Sequence, residues 1–536
     1  MIALIVSGLL LLAWVALIAL RERRRRRFAG DIVPQDRMPR PVRVLLVVGL
    51  VLLPLASAVV AAPTALCFGG GFDPGVTLRG WTTGSESECV GVSDGGYDFS
   101  RGFADDEIGD TTRQRYREVL GQIKKQNDEV TGDYVKVAFL APLTSPLSGP
   151  RVVHELAGLA AAQRDLNKMV LAPKIKLVLA HVGAEGDGWE GVVEDLIAMA
   201  HEDSVPLRAV VGLGLSQGNT KLATDSLSKS DIPMVADLIT ADNFGTTPLL
   251  YRAAFANTKQ IDNSISALGN VGIAWQKGVV VRSKKKEDTY SQTLADHIRG
   301  KLETRTDPFD FDDEDADRLG SRFAGIVTRL CNSSQNPAVL FYAGRARYLS
   351  DLLVKLHDKQ CEKKVIVVSA SDAAVLRMDV REDSAVHSWG VQQAHDALQD
   401  KEVKLLFTPL ADPDGPDNPS LTRLRDQLPD HVSDLNTGWA MMAWDALHVA
   451  TQWIRGEQDD SMQSAIPGLT TVGNSSKGLF TSTKPYEGAG GKFHFEYGER
   501  KDLDQNAPVP VCLQSDGTVR PVTARKVGDE LCNLKE

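Results

Sequence analysis

The chain is poor in aromatic residues and has no excess of positive charge. Aromatic side chains make up 6% of its 536 residues, and 60 Lys and Arg face 70 Asp and Glu, for a net charge of −10. Nucleic-acid binding depends on a positive surface, so no nucleic-acid partner is expected. With 43% hydrophobic and 24% charged residues, the chain has the composition of a folded globular protein, which excludes wholesale disorder.

Metal-binding motifs are also lacking. The ten histidines form no His-Glu-x-x-His motif, and no two cysteines have the spacing of a zinc knuckle. The acidic segment 307–317 lacks the in-register glycine and late glutamate of a calcium loop, so we interpret it as a solvated loop. The sequence therefore predicts no metal and no cofactor.

Charged residues are absent from two apolar stretches near the N-terminus, residues 2–20 and 44–62. At ~1.5 Å per residue, each is long enough to cross a hydrocarbon core of ~30 Å. Residues 21–43 between them hold nine arginines and three acids, and cytoplasmic loops collect Arg and Lys. We therefore expect a transmembrane hairpin in the cell membrane, with both termini and the bulk of the chain outside. The alternative is a signal peptide cleaved near residues 56–58.

All six cysteines follow the second apolar stretch. An even number of cysteines outside the membrane suggests disulfides. The cysteines form three close pairs along the sequence, which predicts bridges between neighbours. The expected bridges are Cys67–Cys89, Cys331–Cys361 and Cys512–Cys532.

The distribution of apolar, polar and glycine residues along the chain predicts four regions. They are the hairpin 1–62, a stalk with an amphipathic helix at 63–133, a large domain at 134–516, and a tail at 517–536. In the large domain, apolar runs of strand length alternate with helical segments, which is typical of parallel sheets covered on both faces. The predicted strands are 135–141, 175–181, 209–213, 232–236, 279–281, 338–342 and 365–369. This many units requires two sheets, so the fold class is α/β.

One string looks catalytic: residues 214–218 (GLSQG) match the Gly-x-Ser-x-Gly elbow of serine hydrolases between a strand and a helix. Asp372 and His387 could complete a triad, but no oxyanion segment precedes the elbow. The same loop has a non-catalytic use, because free N–H groups at a helix N-terminus bind a carboxylate. Ser216 and Thr220 would then donate hydrogen bonds to an anion.

The order of segments from about residue 134 to 516 resembles the type I periplasmic binding-protein family, in its branched-chain amino-acid-binding branch. The segments that carry the resemblance are 137–150 (VAFLAPLTSPLSGP), 211–220 (VGLGLSQGNT), 232–236 (IPMVA), 250–255 (LYRAAF), 287–290 (EDTY), 440–446 (AMMAWDA) and 490–495 (GGKFHF). At residue 291, serine replaces the family's usual glycine.

The resemblance implies two Rossmann-like lobes joined by three crossovers, with a ligand in the cleft between them. Ser148 falls on the first ligand loop, and Ser216 and Thr240 fall on loops that hold the α-carboxylate in amino-acid-binding members. Asp372 stands where an acid would pair with the α-ammonium, and Tyr290 matches a wall tyrosine. The alternatives are a helix N-cap for Asp372 and a core aromatic for Tyr290.

These observations predict a membrane-tethered extracellular solute-binding protein that is not an enzyme. Its ligand would be an amino acid or a similar small solute, and its partner an ABC permease. The alternatives are a ligand-sensing or scaffold ectodomain that works with another membrane partner and, from another class, a serine hydrolase that uses Ser216.

Overall fold

The computed structural model describes residues 67, 73–79, 88–104, 107–303, 308–313, 316–334, 338–359, 361–378, 390–399, 402–415, 418–455, 485–496, 499–502, 509–522 and 531. The chain divides into two units, Met1–Cys89 and Val90–Glu536. Among the described residues, no helix is both long and apolar enough to span a bilayer. The predicted hairpin at 2–20 and 44–62 lies outside the described residues.

Eleven α-helices are named here within the described part of the chain. They are α1 (Asp110–Glu129), α2 (Arg151–Lys168), α3 (Trp189–Ala200), α4 (Gly218–Lys229), α5 (Asn257–Asn270), α6 (Thr289–Lys301), α7 (Ala316–Cys331), α8 (Leu349–His357), α9 (Val391–Ala397), α10 (Pro419–Gln427) and α11 (Trp439–Arg455).

The described residues also form seventeen β-strands, of which the first two precede the large domain. The first nine are β1 (Val76–Arg79), β2 (Glu88–Ser93), β3 (Tyr134–Ala141), β4 (Lys174–His181), β5 (Leu207–Gly212), β6 (Met234–Ala236), β7 (Leu250–Arg252), β8 (Val279–Ser283) and β9 (Phe309–Phe311). The remainder are β10 (Ala338–Ala343), β11 (Val365–Ser369), β12 (Val403–Phe407), β13 (Tyr486–Gly488), β14 (Gly491–Glu496), β15 (Glu499–Asp502), β16 (Val511–Leu513) and β17 (Val519–Pro521).

The second unit holds two α/β lobes, each built on its own sheet. The first sheet runs β2-β4-β3-β5-β6-β7-β15-β14-β13, and its neighbours from β4 to β15 are parallel. The second runs β17-β16-β12-β11-β10-β8-β9, with parallel pairing from β12 to β9. The chain passes between the sheets three times: after β7, after β12 and after β15. The predicted α/β architecture with two sheets and three crossovers is thus confirmed.

The strands are apolar because both faces of each sheet are covered by helices. In β10 every residue from Ala338 to Ala343 is buried, as is every residue of β11. Val, Ile, Leu and Phe dominate these strands, so their burial supplies the main driving force for folding of each lobe. Helices of the same lobe cover them, including α7 and α8 in the second lobe.

Part of the segment predicted as a stalk packs on the first lobe. The side chain of Asn127, near the end of α1, accepts the N–H of Leu177 in β4 at 2.9 Å and donates to its carbonyl at 2.8 Å. The hydroxyl of Tyr116 donates to the carbonyl of Leu143 at 3.0 Å. Residues 519–521 of the predicted tail form β17, at the edge of the second sheet.

Two predicted disulfides are present: Cys67–Cys89 in the first unit and Cys331–Cys361 in the second. Cys331 ends α7 and Cys361 precedes β11, so the second bridge fastens a covering helix to the start of a core strand. Cys512 in β16 is also disulfide-bonded. Its predicted partner, Cys532, lies outside the described residues.

Candidate functional site

The carboxyl ends of the parallel strands in both lobes meet at one buried cleft. The first lobe contributes the loops after β3, β5 and β6, and the second lobe the loops after β8, β10 and β11. Ligands of open α/β sheets bind beyond the carboxyl ends of the strands. Hydrogen bonds run across the lobes here, for example from the N–H of Gly218 to the carbonyl of Glu287 at 2.8 Å.

The loop after β5 places Ser216 at the centre of the first-lobe wall. The chain turns through three successive left-handed residues, Gly212 (φ 86°), Leu213 (φ 73°) and Gly214 (φ 64°). Only glycine fits at 214, because a Cβ there would lie 2.3 Å from Cδ of Pro142. A non-glycine residue at φ 73° is strained, and such strain concentrates at functional loops.

Ser216 joins the loops after β5 and β6. Its Oγ accepts the N–H of Thr240 at 3.0 Å and the N–H of Ala241 at 3.2 Å. Its side chain is 1% exposed. The hydroxyl therefore orders the two loops around the N-terminus of α4, the place where a carboxylate binds most favourably. A nucleophilic serine would instead donate its proton to a base, and the triad histidine, His387, lies outside the described residues.

Arg151 projects from the first residue of α2 across the cleft. Its Nη1 donates to Oδ1 of Asp372 in the second lobe at 2.7 Å and to the carbonyl of Asp372 at 3.3 Å. Its Nη2 and Nε donate to the carbonyls of Leu147 (2.7 Å) and Ser148 (3.3 Å). The guanidinium carbon lies 4.3 Å from the ring centroid of Trp439. The arginine is 0% exposed, so this is a buried ion pair between lobes.

Helices α2 and α11 hold Arg151 and Trp439 in place. They cross so closely that a Cβ on Gly158 of α2 would lie 2.1 Å from the carbonyl oxygen of Ala440 in α11. Interhelical packing this close fixes the position of α2 relative to the sheet. The guanidinium is therefore presented to the second lobe from a rigid base.

Asp372 lies in the first turn of a buried 3-10 helix after β11, Ser371–Arg377. Besides the arginine, its Oδ2 accepts the N–H of Ala346 at 2.6 Å. Burial raises the pKa of Asp372, but the guanidiniums of Arg151 and Arg345 and the N–H of Ala346 outweigh burial and hold the pKa below its ordinary value. The carboxylate is therefore ionised and already paired with a cation of the chain.

A second buried ion pair lies beside the first. Nη2 of Arg345 contacts Oδ1 of Asp288 at 2.6 Å, and the same nitrogen donates to the carbonyl of Ser216 at 3.1 Å. The guanidinium carbon is 4.6 Å from the ring centroid of Tyr290. The N–H of Tyr290 donates to the same Ser216 carbonyl at 3.2 Å, and its hydroxyl accepts the N–H of Asp372 at 3.4 Å.

Five of the six predicted ligand-binding residues come together in this network. Ser216, Thr240, Tyr290 and Asp372 are linked directly, and Ser148 contributes its carbonyl to Arg151. Thr220 lies in the first turn of α4 and is half-buried, away from these contacts.

Sequence reasoning missed the two arginines. Both carry a local signal that could have been used. Arg151 is the first residue of a helix, where the dipole disfavours a cation, and Arg345 follows a buried strand between small residues. An arginine in such surroundings needs a partner of its own.

A pair of buried carboxyls lies one helical turn behind Arg151. Glu155 of α2 is 2% exposed and Asp237, directly after β6, is 0% exposed. Burial raises the pKa of Glu155 well above its ordinary value, and the adjacent Asp237 raises it further; burial raises the pKa of Asp237 to about 6. The contact between the two side chains raises the pKa of Glu155 and lowers that of Asp237, so Glu155 is the carboxyl that donates its proton to Asp237.

The described residues hold no cluster of three or more His, Cys, Asp or Glu side chains arranged for a metal ion. The chemistry that this cleft offers is polar recognition: backbone N–H groups at the start of α4, hydroxyls, and two arginine–aspartate pairs.

Comparison with solved structures finds the same fold in bacterial solute-binding proteins. The substrate-binding protein LivJ of a branched-chain amino acid transporter from Streptococcus pneumoniae, in complex with isoleucine, matches with a TM-score of 0.50 and 16% identity over 72% of this chain and 98% of its own. An extracellular ligand-binding receptor from Verminephrobacter eiseniae gives 0.51 and 11%, over 72% and 99%. A solute-binding protein of an ABC transporter from Rhodopseudomonas palustris, in complex with p-hydroxybenzoic acid, gives 0.50 and 12%, over 72% and 95%.

No protein-family model and no curated protein matches the chain. At such identities the likeness concerns the fold, and the resemblance inferred from the sequence is confirmed at that level. The chain has the two-lobed fold of the type I periplasmic binding proteins to which the branched-chain amino acid-binding proteins belong.

Proposed function

We propose that this protein is a non-enzymatic solute-binding protein whose two lobes close on a small carboxylate. The observation that carries the proposal is the meeting of the Ser216 loop of one lobe with Tyr290 and Asp372 of the other in a buried cleft. A solute that contacts both walls favours closure in proportion to its preference for the closed form.

A carboxylate is the ligand group that this geometry favours. Ser216 lies beside the N-terminus of α4, where the N–H of Gly218 donates to Glu287 and the helix dipole with the next N–H groups suits an anion. Two of the structural neighbours are described with isoleucine and with p-hydroxybenzoic acid, ligands that share a carboxylate and little else. The carboxylate is therefore the end of the solute that we assign to the first lobe.

The serine hydrolase alternative finds no support in the contacts of Ser216. Its Oγ accepts two backbone N–H groups, so it serves as a structural acceptor. A fluorophosphonate probe tests this directly. It should leave Ser216 unlabelled, and covalent labelling of Ser216 would favour the hydrolase alternative.

The proposal for the cellular setting is based on the sequence outside the described residues. We propose that the stretches 2–20 and 44–62 tether the protein to the cell membrane and that the lobes face outward. The neighbours include a solute-binding protein of an ABC transporter, which supports an ABC permease as the partner.

A ligand-sensing or scaffold ectodomain is the second candidate. Its support is the bridging of the lobes by groups of the chain itself, through the Arg151–Asp372 pair and the contact of Arg345 with Ser216. If these contacts alone keep the cleft closed, the closed form could serve as a docking surface for a membrane partner.

Differential scanning fluorimetry of the full-length chain separates these candidates. Carboxylates at about a hundredfold excess over their dissociation constant should stabilise the protein by about 2.7 kcal/mol. A transition that no carboxylate or amino acid shifts would favour the scaffold.

A further inference from the structure

The acid that faces the first lobe across the cleft already has a cation. Asp372 is 6% exposed and lies 2.7 Å from the guanidinium of Arg151, which is 0% exposed. A buried carboxylate must be neutralised, either by a ligand or by the chain. Here the chain supplies the neutralising charge, from the opposite lobe.

Contacts on every side of its guanidinium hold Arg151 in position against Asp372. It donates to the carbonyls of Leu147, Ser148 and Asp372 as well as to the carboxylate, and one face lies on Trp439. These partners occupy the fork of the guanidinium, so the arginine is held in one orientation. A ligand cannot move it aside without leaving several buried carbonyls unpaired.

The charges of the cleft are balanced before any solute enters. Asp372 is matched by Arg151, and Asp288 by Arg345 at 2.6 Å. An amino acid would bring an ammonium group that competes with Arg151 for Asp372. In a buried site, an additional cation without a partner is strongly disfavoured. A carboxylate without an ammonium brings no such group and needs only the positive end of α4 in the first lobe.

We propose that Arg151 determines ligand specificity by occupying the place against Asp372 that an ammonium group would need, so the cleft selects carboxylates that lack an ammonium. This inference rests on the proposed solute-binding function and names the substrate class for it. The solute's carboxylate lies on the Ser216 side, and the Arg151–Asp372 pair closes the other side.

Matched pairs of probes that differ only in the α-ammonium test this proposal. They are leucine and 4-methylpentanoate, isoleucine and 3-methylpentanoate, and phenylalanine and 3-phenylpropanoate, titrated calorimetrically into the full-length chain. We expect at least one carboxylate to bind ten times more tightly than its amino-acid partner, or more. The wild-type comparison does not depend on any variant folding.

The variant Arg151→Gln should reverse the preference, because Asp372 is then free for an ammonium. The matched amino acid should gain at least tenfold in affinity, and this gain should disappear in Arg151→Gln/Asp372→Asn. Arg151→Lys keeps the charge and should retain the wild-type preference. Arg101→Gln, at a side chain that is 60% exposed, is the control and should change nothing.

These measurements distinguish failure of the specificity proposal from failure of the proposed function. If wild type binds an amino acid as tightly as its carboxylate, or if Arg151→Gln folds and keeps the wild-type preference, the specificity proposal is overturned while the solute-binding function stands. If neither wild type nor Arg151→Gln binds any of the six probes, the proposed function itself is overturned, and the specificity proposal with it.

Discussion

The carbonyl oxygen of Ser216 in the first lobe accepts a hydrogen bond from the guanidinium of Arg345 in the second, at 3.1 Å. The same guanidinium is paired with Asp288 at 2.6 Å, and both side chains are buried. The loop that follows β5 is therefore hydrogen-bonded to an ion pair of the opposite lobe. Removing one charge of that pair should both destabilise the second lobe and weaken its contact with the first lobe.

We predict that Arg345→Met destabilises the protein by about 3–5 kcal/mol, because it leaves the carboxylate of Asp288 buried without its cation. Urea unfolding of the full-length chain, followed by circular dichroism, measures the change. The double variant Arg345→Met/Asp288→Asn removes both charges and should recover a large part of the loss. A double variant as unstable as the single one would show that the ion pair is not the cause.

The raised pKa of the buried Asp237 carboxyl, next to Glu155, predicts a dependence of stability on pH. The pKa of Asp237 is raised to about 6, against about 3.9 in an unfolded chain. Between these values the folded state keeps a proton that the unfolded state releases, so this pair makes stability fall as pH rises from about 4 to 6. Above pH 6 the contribution of Asp237 is fully lost, whereas Glu155, whose pKa is raised well above its ordinary value, keeps its proton to higher pH.

Asp237→Asn removes this titration. The variant should match wild type near pH 4 and exceed its stability by roughly 1–3 kcal/mol at pH 7.5, as measured by urea unfolding at three pH values. Asp426→Asn, at an exposed position on α10, is the matched control and should show no such trend. A difference in stability between Asp237→Asn and wild type that does not change with pH would contradict the raised pKa of Asp237.

The Cys331–Cys361 bridge predicts a further loss of stability when it is removed. It closes a loop with a sequence separation of 30 residues, and a bridge of that span contributes about 2–4 kcal/mol. The double variant Cys331→Ser/Cys361→Ser should lose stability in that range in urea. An unchanged unfolding midpoint would show that the bridge contributes nothing. Peptide mapping of the wild-type protein also tests the predicted Cys512–Cys532 bridge.

The arginine-rich segment 21–43 predicts the topology at the membrane. A cysteine introduced at Ala29 should resist a membrane-impermeant maleimide in intact cells, because this loop is expected inside. A cysteine at Lys125, on the exposed side of α1, should be labelled and is the control. Labelling at residue 29 without permeabilisation would contradict the hairpin.

Much of the fold could be predicted because its signals are local. The strands β10 and β11 are apolar except for Ser369, as is typical of buried parallel strands, and the order of loops and helices predicts two lobes. The sequence predicts a solvated loop at 307–317, but Phe309–Phe311 form β9 there and pair with β8, so the prediction is wrong over these residues. Its many acids concealed the strand, since only alternate residues need to face the core.

The candidate site was predictable only in part. Ser216 and Asp372 sit at strand ends, which the pattern of strands and helices locates. The partner of Asp372 is Arg151, 221 residues earlier in the chain, and nothing in either local sequence specifies that pairing. A buried ion pair between lobes is set by the three-dimensional arrangement, so an ammonium of a ligand was the natural expectation for Asp372.

The central claim, that the cleft binds a carboxylate at the Ser216 wall, is tested most directly by calorimetric titration of 3-phenylpropanoate, 4-methylpentanoate and 3-methylpentanoate into the full-length chain and its Ser216→Ala variant. The account predicts that wild type binds at least one of them and that Ser216→Ala binds it about tenfold more weakly, because the Ser216 hydroxyl orders the loops around the anion. Equal affinity in the two proteins, or no binding by wild type, would contradict it.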